Sequence, residues 1–149
     1  MGPCQPRVIR ASAVRLEIAL AGELSAHAVA AAEAEARAQL SAAKPGGVAL
    51  VVDLRGLGGA SLEARDALVA LQQALAPKLR QTAYVADTPA GRGLSLWLRH
   101  TVQDQVIKAF GGREDALAWL VADAGPTTGV RPVARSRRPT PLMRPRRVS

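Results

Sequence analysis

The stretch Val48-Ala-Leu-Val-Val-Asp-Leu54 is apolar at every position except Asp53. A short run of this kind, rich in β-branched residues and bounded by glycines, predicts a strand covered on both faces. Such a strand needs neighbours on either side and helices above and below, which makes it central in a parallel or mixed sheet. The rest of the chain supplies those parts. Val14, Leu16, Ile18 and Leu20 alternate with Arg15 and Glu17, as in a half-buried strand, and Val8-Ile9 suggests a shorter strand before it.

Ser25 can cap a helix running to about Ala43, with Val29, Ala32, Ala36 and Leu40 on one stripe, before Pro45-Gly46-Gly47 ends it. A glycine-rich turn, Gly56 to Ser61, leads to a second helix from about Leu62 to Leu79, again with a serine, Ser61, at the cap. Gln81 to Asp87 reads as a strand. Thr88-Pro89 opens a third helix carrying Leu94, Trp97, Leu98, Thr101 and Val102 on one face. Val106 to Phe110 forms a last strand and Arg113 to Ala122 a last helix, with Glu114 and Asp115 in its first turn. The expected order is ββαβαβαβα, an α/β fold with right-handed crossovers and a mostly parallel sheet.

Charge divides the chain unevenly. Of a formal net charge of +8, seven charges come from arginines beyond Asp123, where there is no acid and where Pro126, Pro132, Pro139, Pro141 and Pro145 interrupt any regular element. The expected organisation is a flexible segment over 1–7, one domain over 8–123 and a disordered basic tail over 124–149. The pI near 11.2 therefore reports on the tail. Arg131, Arg135, Arg137, Arg138, Arg144, Arg146 and Arg147 can contact phosphates of a nucleic acid or an anionic membrane surface, but no aromatic residue lies among them to stack on bases. A single cysteine, Cys4, excludes an internal disulfide and fits a reducing compartment. With no apolar signal segment and no run long enough for a membrane span, the expectation is a cytoplasmic protein.

The order of elements and two motifs together resemble the STAS domains, whose best-known members are bacterial anti-sigma factor antagonists. Leu16-Glu-Ile-Ala-Leu-Ala-Gly-Glu-Leu24 is similar to that family's strand ending in Gly-Glu-Leu-Asp. Val51-Val-Asp-Leu-Arg-Gly-Leu57 is similar to its strand ending in Asp-Leu-Ser-Gly-Val. The last helix, with Ala118-Trp119-Leu120, resembles a subgroup described as STAS-like or CRAL-TRIO-like. The resemblance covers about residues 8 to 122 and implies a non-enzymatic regulatory module that docks on a protein partner. It also marks a departure. The phosphoacceptor serine of the antagonists would fall at Leu62 or Glu63, leaving Ser61 as the neighbouring hydroxyl that can take phosphate at a helix end.

Several residues are candidates for contact. Arg55 with the backbone of Gly58 and Gly59 is the place for an anionic group, since turns after buried strands bind anions in open α/β sheets. Neither a dinucleotide fingerprint nor a P-loop is complete there. Glu63 offers a fixed negative charge beside Ser61. Arg92 and Arg99, seven residues apart on the third helix, fit an acidic partner. His27 and His100 stand apart without metal-ligand spacing, and no nucleophile elbow or carboxylate pair suggests catalysis. No cofactor or metal is expected. The alternative to docking is a carrier of a lipid or small apolar molecule, which needs an apolar cavity of about 300 Å³ or more beneath the helix bearing Trp97.

Overall fold

In a computed structural model, which describes residues 2–124, the central apolar run becomes β4 (Val48–Asp53), paired in parallel with β2 (Arg15–Ala19) on one side and β6 (Leu79–Val85) on the other. The main sheet has the order β1-β2-β4-β6-β7, with β1 (Arg7–Ser12) and β7 (Ile107–Phe110) at its edges. Only β1 runs antiparallel, so the sheet is mixed and mostly parallel. The basic tail expected after Ala124 lies outside the described residues.

Register sorts the side chains. Leu16 stands beside Leu50, Ile18 beside Val52, and Val52 beside Tyr84, all fully buried on one face. Helix α1 (Ala26–Gln39) presents Ala28, Val29, Ala32 and Ala36 to that core, and α2 (Leu62–Leu75) presents Leu68, Leu71 and Leu75. Alanines on α1 let the two helices approach closely. Helix α3 (Pro89–Thr101) adds Leu94 and Leu98, with Trp97 packed at the margin of the cluster. The opposite face carries small residues, Ala49, Val51, Ala83 and Val85, and two acids, Glu17 and Asp53. Helix α4 (Arg113–Ala124) begins there, because Arg113 grips Glu17. The compact unit Met1–Leu117 holds both sheets and α1 to α3, and a second unit begins at Ala118 within α4.

One tyrosine is placed inside the core at a polar cost that the fold meets in full. The Tyr84 hydroxyl donates to Gln72 Oε1 at 2.8 Å, while Gln72 Nε2 donates to Thr82 Oγ1 at 3.1 Å and to Gln105 Oε1 at 2.9 Å. Burial pushes the Tyr84 phenol far above its ordinary range, so it acts only as a hydrogen-bonding group.

Several findings depart from the sequence expectation: α1 ends at Gln39 rather than near Ala43, α2 ends at Leu75 rather than near Leu79, where β6 begins, and Val14 is exposed ahead of β2. The stretch expected as a glycine turn contains a strand, β5 (Leu57–Ala60), which pairs in parallel with β3 (Gly22–Leu24) in a second small sheet. Glycines carry little strand propensity, and the pairing rests instead on the burial of Leu57 and Leu24. The segment ahead of β1, expected to be flexible, is also paired. Glu23 N–H donates to the Gly2 carbonyl and Cys4 N–H to the Glu23 carbonyl, both at 3.0 Å, and Cys4 is buried. Gly22 permits this approach: it has φ +87°, and a Cβ there would lie 2.6 Å from the Gly2 carbonyl oxygen.

Candidate functional site

The carboxyl ends of β4 and β6 bring Arg55 and the turn to Ser61 near the start of α3 with Arg92, whereas Arg99 lies in the last turn of α3 and the tail arginines lie outside the described residues. Asp53 closes β4, and its carboxylate accepts the Arg55 backbone N–H at 3.0 Å, Nε at 2.9 Å and Nη2 at 2.8 Å. Burial opposes ionisation of Asp53, but the side-chain and backbone hydrogen bonds from Arg55 outweigh it and hold the carboxyl below its ordinary range. Arg55 is exposed, yet its guanidinium is already matched to a carboxylate. It is part of the local structure rather than a free anion receptor.

After Arg55 the chain turns through Gly56, at φ +83°, whose N–H donates to Asp87 Oδ1 at 3.1 Å. Thr88 ties the same two segments from the other side. Its hydroxyl donates to the Leu57 carbonyl at 3.1 Å and accepts the Gly91 N–H at 3.0 Å as the cap of α3. Asp87 and Thr88 were not among the sequence candidates. The Thr-Pro signal revealed the helix start but not the cross-loop bond, because the partner lies 31 residues away.

Gly58 and Gly59, expected to offer their backbone to an anionic group, lie in an irregular strand. The register moves from Gly22 opposite Leu57 to Glu23 opposite Gly59, so Gly58 is the extra residue of a bulge. The Glu23 carboxylate lies 3.4 Å from where a Gly59 Cβ would stand. A strand with an acid over its second glycine repels an anion rather than binding one.

Ser61 caps α2, its Oγ accepting the Ala64 N–H at 3.1 Å. Glu63 is exposed in the first turn, where an acid complements the helix dipole. Between them Leu62 is 67% exposed, a large apolar side chain left in water at the first position of a helix. Leu96 on α3 is also exposed, lying off the apolar stripe of that helix. With Arg92 and Phe110 it lines a recess of about 140 Å³, floored by Ala86 and Ala109. Arg92 and Arg99 are exposed and α3 carries no acid, so its outer side presents cations and one leucine. The recess falls well short of the ~300 Å³ at the lower end for a ligand-enclosing cavity, and Leu94 and Leu98 fill the space beneath the helix.

Among the described residues no group of three or more His, Cys, Asp and Glu side chains is placed to hold a metal ion, and His27 and His100 are separately exposed. No helix among them is long and apolar enough to cross a membrane.

Comparison with known proteins agrees with this fold. The SpoIIAA-like family matches residues 15–121. An uncharacterised protein of the DUF3478 family from Shewanella loihica PV-4, with a SpoIIAA-like fold, superposes with a TM-score of 0.63 at 17% identity, over 81% of this chain and 96% of that one. An anti-sigma factor antagonist from Mycobacterium paratuberculosis gives 0.56 at 21% identity, over 78% and 92%. No curated protein matches the sequence.

Proposed function

The chain belongs to the SpoIIAA-like family, and from that premise we propose that it is a non-enzymatic regulatory module that docks on a protein partner through the segment Arg55 to Ser61 and the start of α2. The observation that carries this reading is the exposed Leu62, held at a fixed place by the Ser61 cap. An isolated apolar side chain on a rigid helix start is the kind of anchor that fills a partner's pocket. Arg92, Leu96 and Arg99 extend the surface toward an acidic partner. The antagonist from Mycobacterium paratuberculosis is named for opposing an anti-sigma factor, and a partner of that regulatory class is the one to seek.

Leu62 and Glu63 stand at the usual phosphoserine position, so phosphate control of docking in this chain falls to Ser61, an exposed serine whose hydroxyl also caps α2. The arginines from Arg131 to Arg147 serve separately, as a contact for polyanions. Leu62→Asp tests the docking reading. The change is at an exposed position and keeps an acid-compatible helix start, so stability stays within about 0.5 kcal/mol of the parent. The variant is expected to lose a regulatory partner captured by the intact chain from its native host. Undiminished capture by both Leu62→Asp and Arg55→Glu would place the interface elsewhere.

A further inference from the structure

The amino end of β6 and the loop entering β7 lie at the other end of the parallel strands from the docking surface, and they border an open recess of about 210 Å³ with mixed polar and apolar lining. Its walls are Ala76, Leu79 and Val106, its floor includes Thr82 and Gln105, and Arg80 and Asp104 stand on its lining.

The floor is rigid. Thr82 is buried and its Oγ1 accepts an N–H from Gln72, which the Tyr84 hydroxyl fixes in turn. Gln105 is locked to α2 twice, accepting from Gln72 Nε2 and donating from its own Nε2 to the Gln72 carbonyl at 3.1 Å.

The two charges are available as well. Arg80 spends one N–H on Gln81 Oε1, at 2.5 Å, and makes no ion pair among the described residues. The Asp104 carboxylate is exposed and likewise has no ion pair among the described residues. Opposite charges on one small recess that do not neutralise each other match a ligand carrying both signs, and each would bind through a charge-assisted hydrogen bond. The volume is below that of drug-sized sites, at about 300 Å³ and upward, so it suits a molecule of few non-hydrogen atoms.

We propose that this recess binds a small zwitterion, an α-amino acid with a short side chain, with its carboxylate on Arg80, its ammonium on Asp104 and its side chain against Ala76, Leu79 and Val106. The site is independent of the docking surface and stands or falls without it.

The test is titration of the full chain with L-alanine, L-serine and L-valine, followed by NMR at the backbone amides of Thr82 and Gln105, with acetate and ethylamine as single-charge controls. At least one amino acid is expected to give saturable shifts at both amides, with the controls weaker by about tenfold or more. Arg80→Gln and Asp104→Asn are each expected to weaken binding by about tenfold, with melting temperatures like the parent's confirming that both variants fold. The proposal is overturned if no amino acid produces saturable shifts, if acetate alone reproduces them, or if either folded variant binds as the parent does.

Discussion

Arg113, at the first position of α4, holds Glu17 of β2 through two parallel hydrogen bonds, Nη1 to Oε1 at 2.6 Å and Nη2 to Oε2 at 2.8 Å, across 96 residues of chain. Arg15 Nε lies 3.1 Å from Oε2 without hydrogen-bond alignment, adding attraction to the same acid. A bidentate pair of this kind fixes orientation as well as distance. It decides where α4 starts.

Its pH dependence follows from the Glu17 carboxyl. The Arg113 hydrogen bonds hold it below the ordinary glutamate range, against the opposing effect of burial. A lowered folded value means that the stabilisation is complete above the unfolded pKa of about 4.3 and is lost as pH falls through the lower folded value. Glu17→Gln is therefore expected to cost about 1–2 kcal/mol at pH 7, a figure discounted for the partial exposure of Arg113. Urea denaturation at neutral pH and below about pH 4 checks this: the gap between parent and variant must narrow in acid.

Gly22→Ala is expected to free the amino-terminal segment. The new Cβ meets the Gly2 carbonyl at a distance no real structure keeps, in a backbone region that alanine disfavours. Burial raises the Cys4 thiol pKa and outweighs the lowering by a backbone hydrogen bond from Ala21. Release of the segment then both exposes the thiol and restores its ordinary acidity. A thiol reagent should label the variant much faster than the parent under native conditions, and equal rates would show that the segment stays paired.

Tyr84→Phe removes the donor to Gln72 Oε1 while keeping the ring. The oxygen is left buried without that partner, at an expected cost of about 1–3 kcal/mol. In a Gln72→Leu background, which itself deprives Thr82 and Gln105 of a donor, the same change should cost less than in the parent, because the acceptor it would orphan is already gone. A purely additive pair of losses in thermal denaturation would contradict the linked network.

Polyanion binding by the arginines beyond Ala124 is expected to weaken steeply with salt, with a slope on double-stranded DNA no greater than about 0.9 per neutralised phosphate. A chain ending at Gly125 should lose retention on immobilised heparin or DNA. Retention that survives this truncation would assign the contact to the domain, whose charge is close to neutral.

The strand at Val48–Asp53, the helices after Ser25, Ser61 and Thr88, and the mixed sheet were legible because each depends on local periodicity or on a cap within three residues. The second sheet was not, since Leu57-Gly-Gly-Ala reads as a turn until Gly22 to Leu24 arrives beside it. At the site, Arg55 and Ser61 were found by position, but what they touch was not. That Arg55 would turn back on Asp53 is a two-residue relation open to several rotamers, and the bond from Gly56 to Asp87 joins segments that meet only in the fold. Leu62 and Leu96 were the signals within reach. Both are leucines outside the apolar stripes of helices whose cores were already accounted for.

The bonds from Gly56 to Asp87 and from Thr88 to Leu57 splice two crossover loops into one body. A partner meeting this end of the molecule finds a surface whose shape is set beforehand, so little conformational freedom remains to be surrendered on contact. Encounter and capture then coincide, and complex formation should follow a single exponential whose rate scales with partner concentration without levelling off.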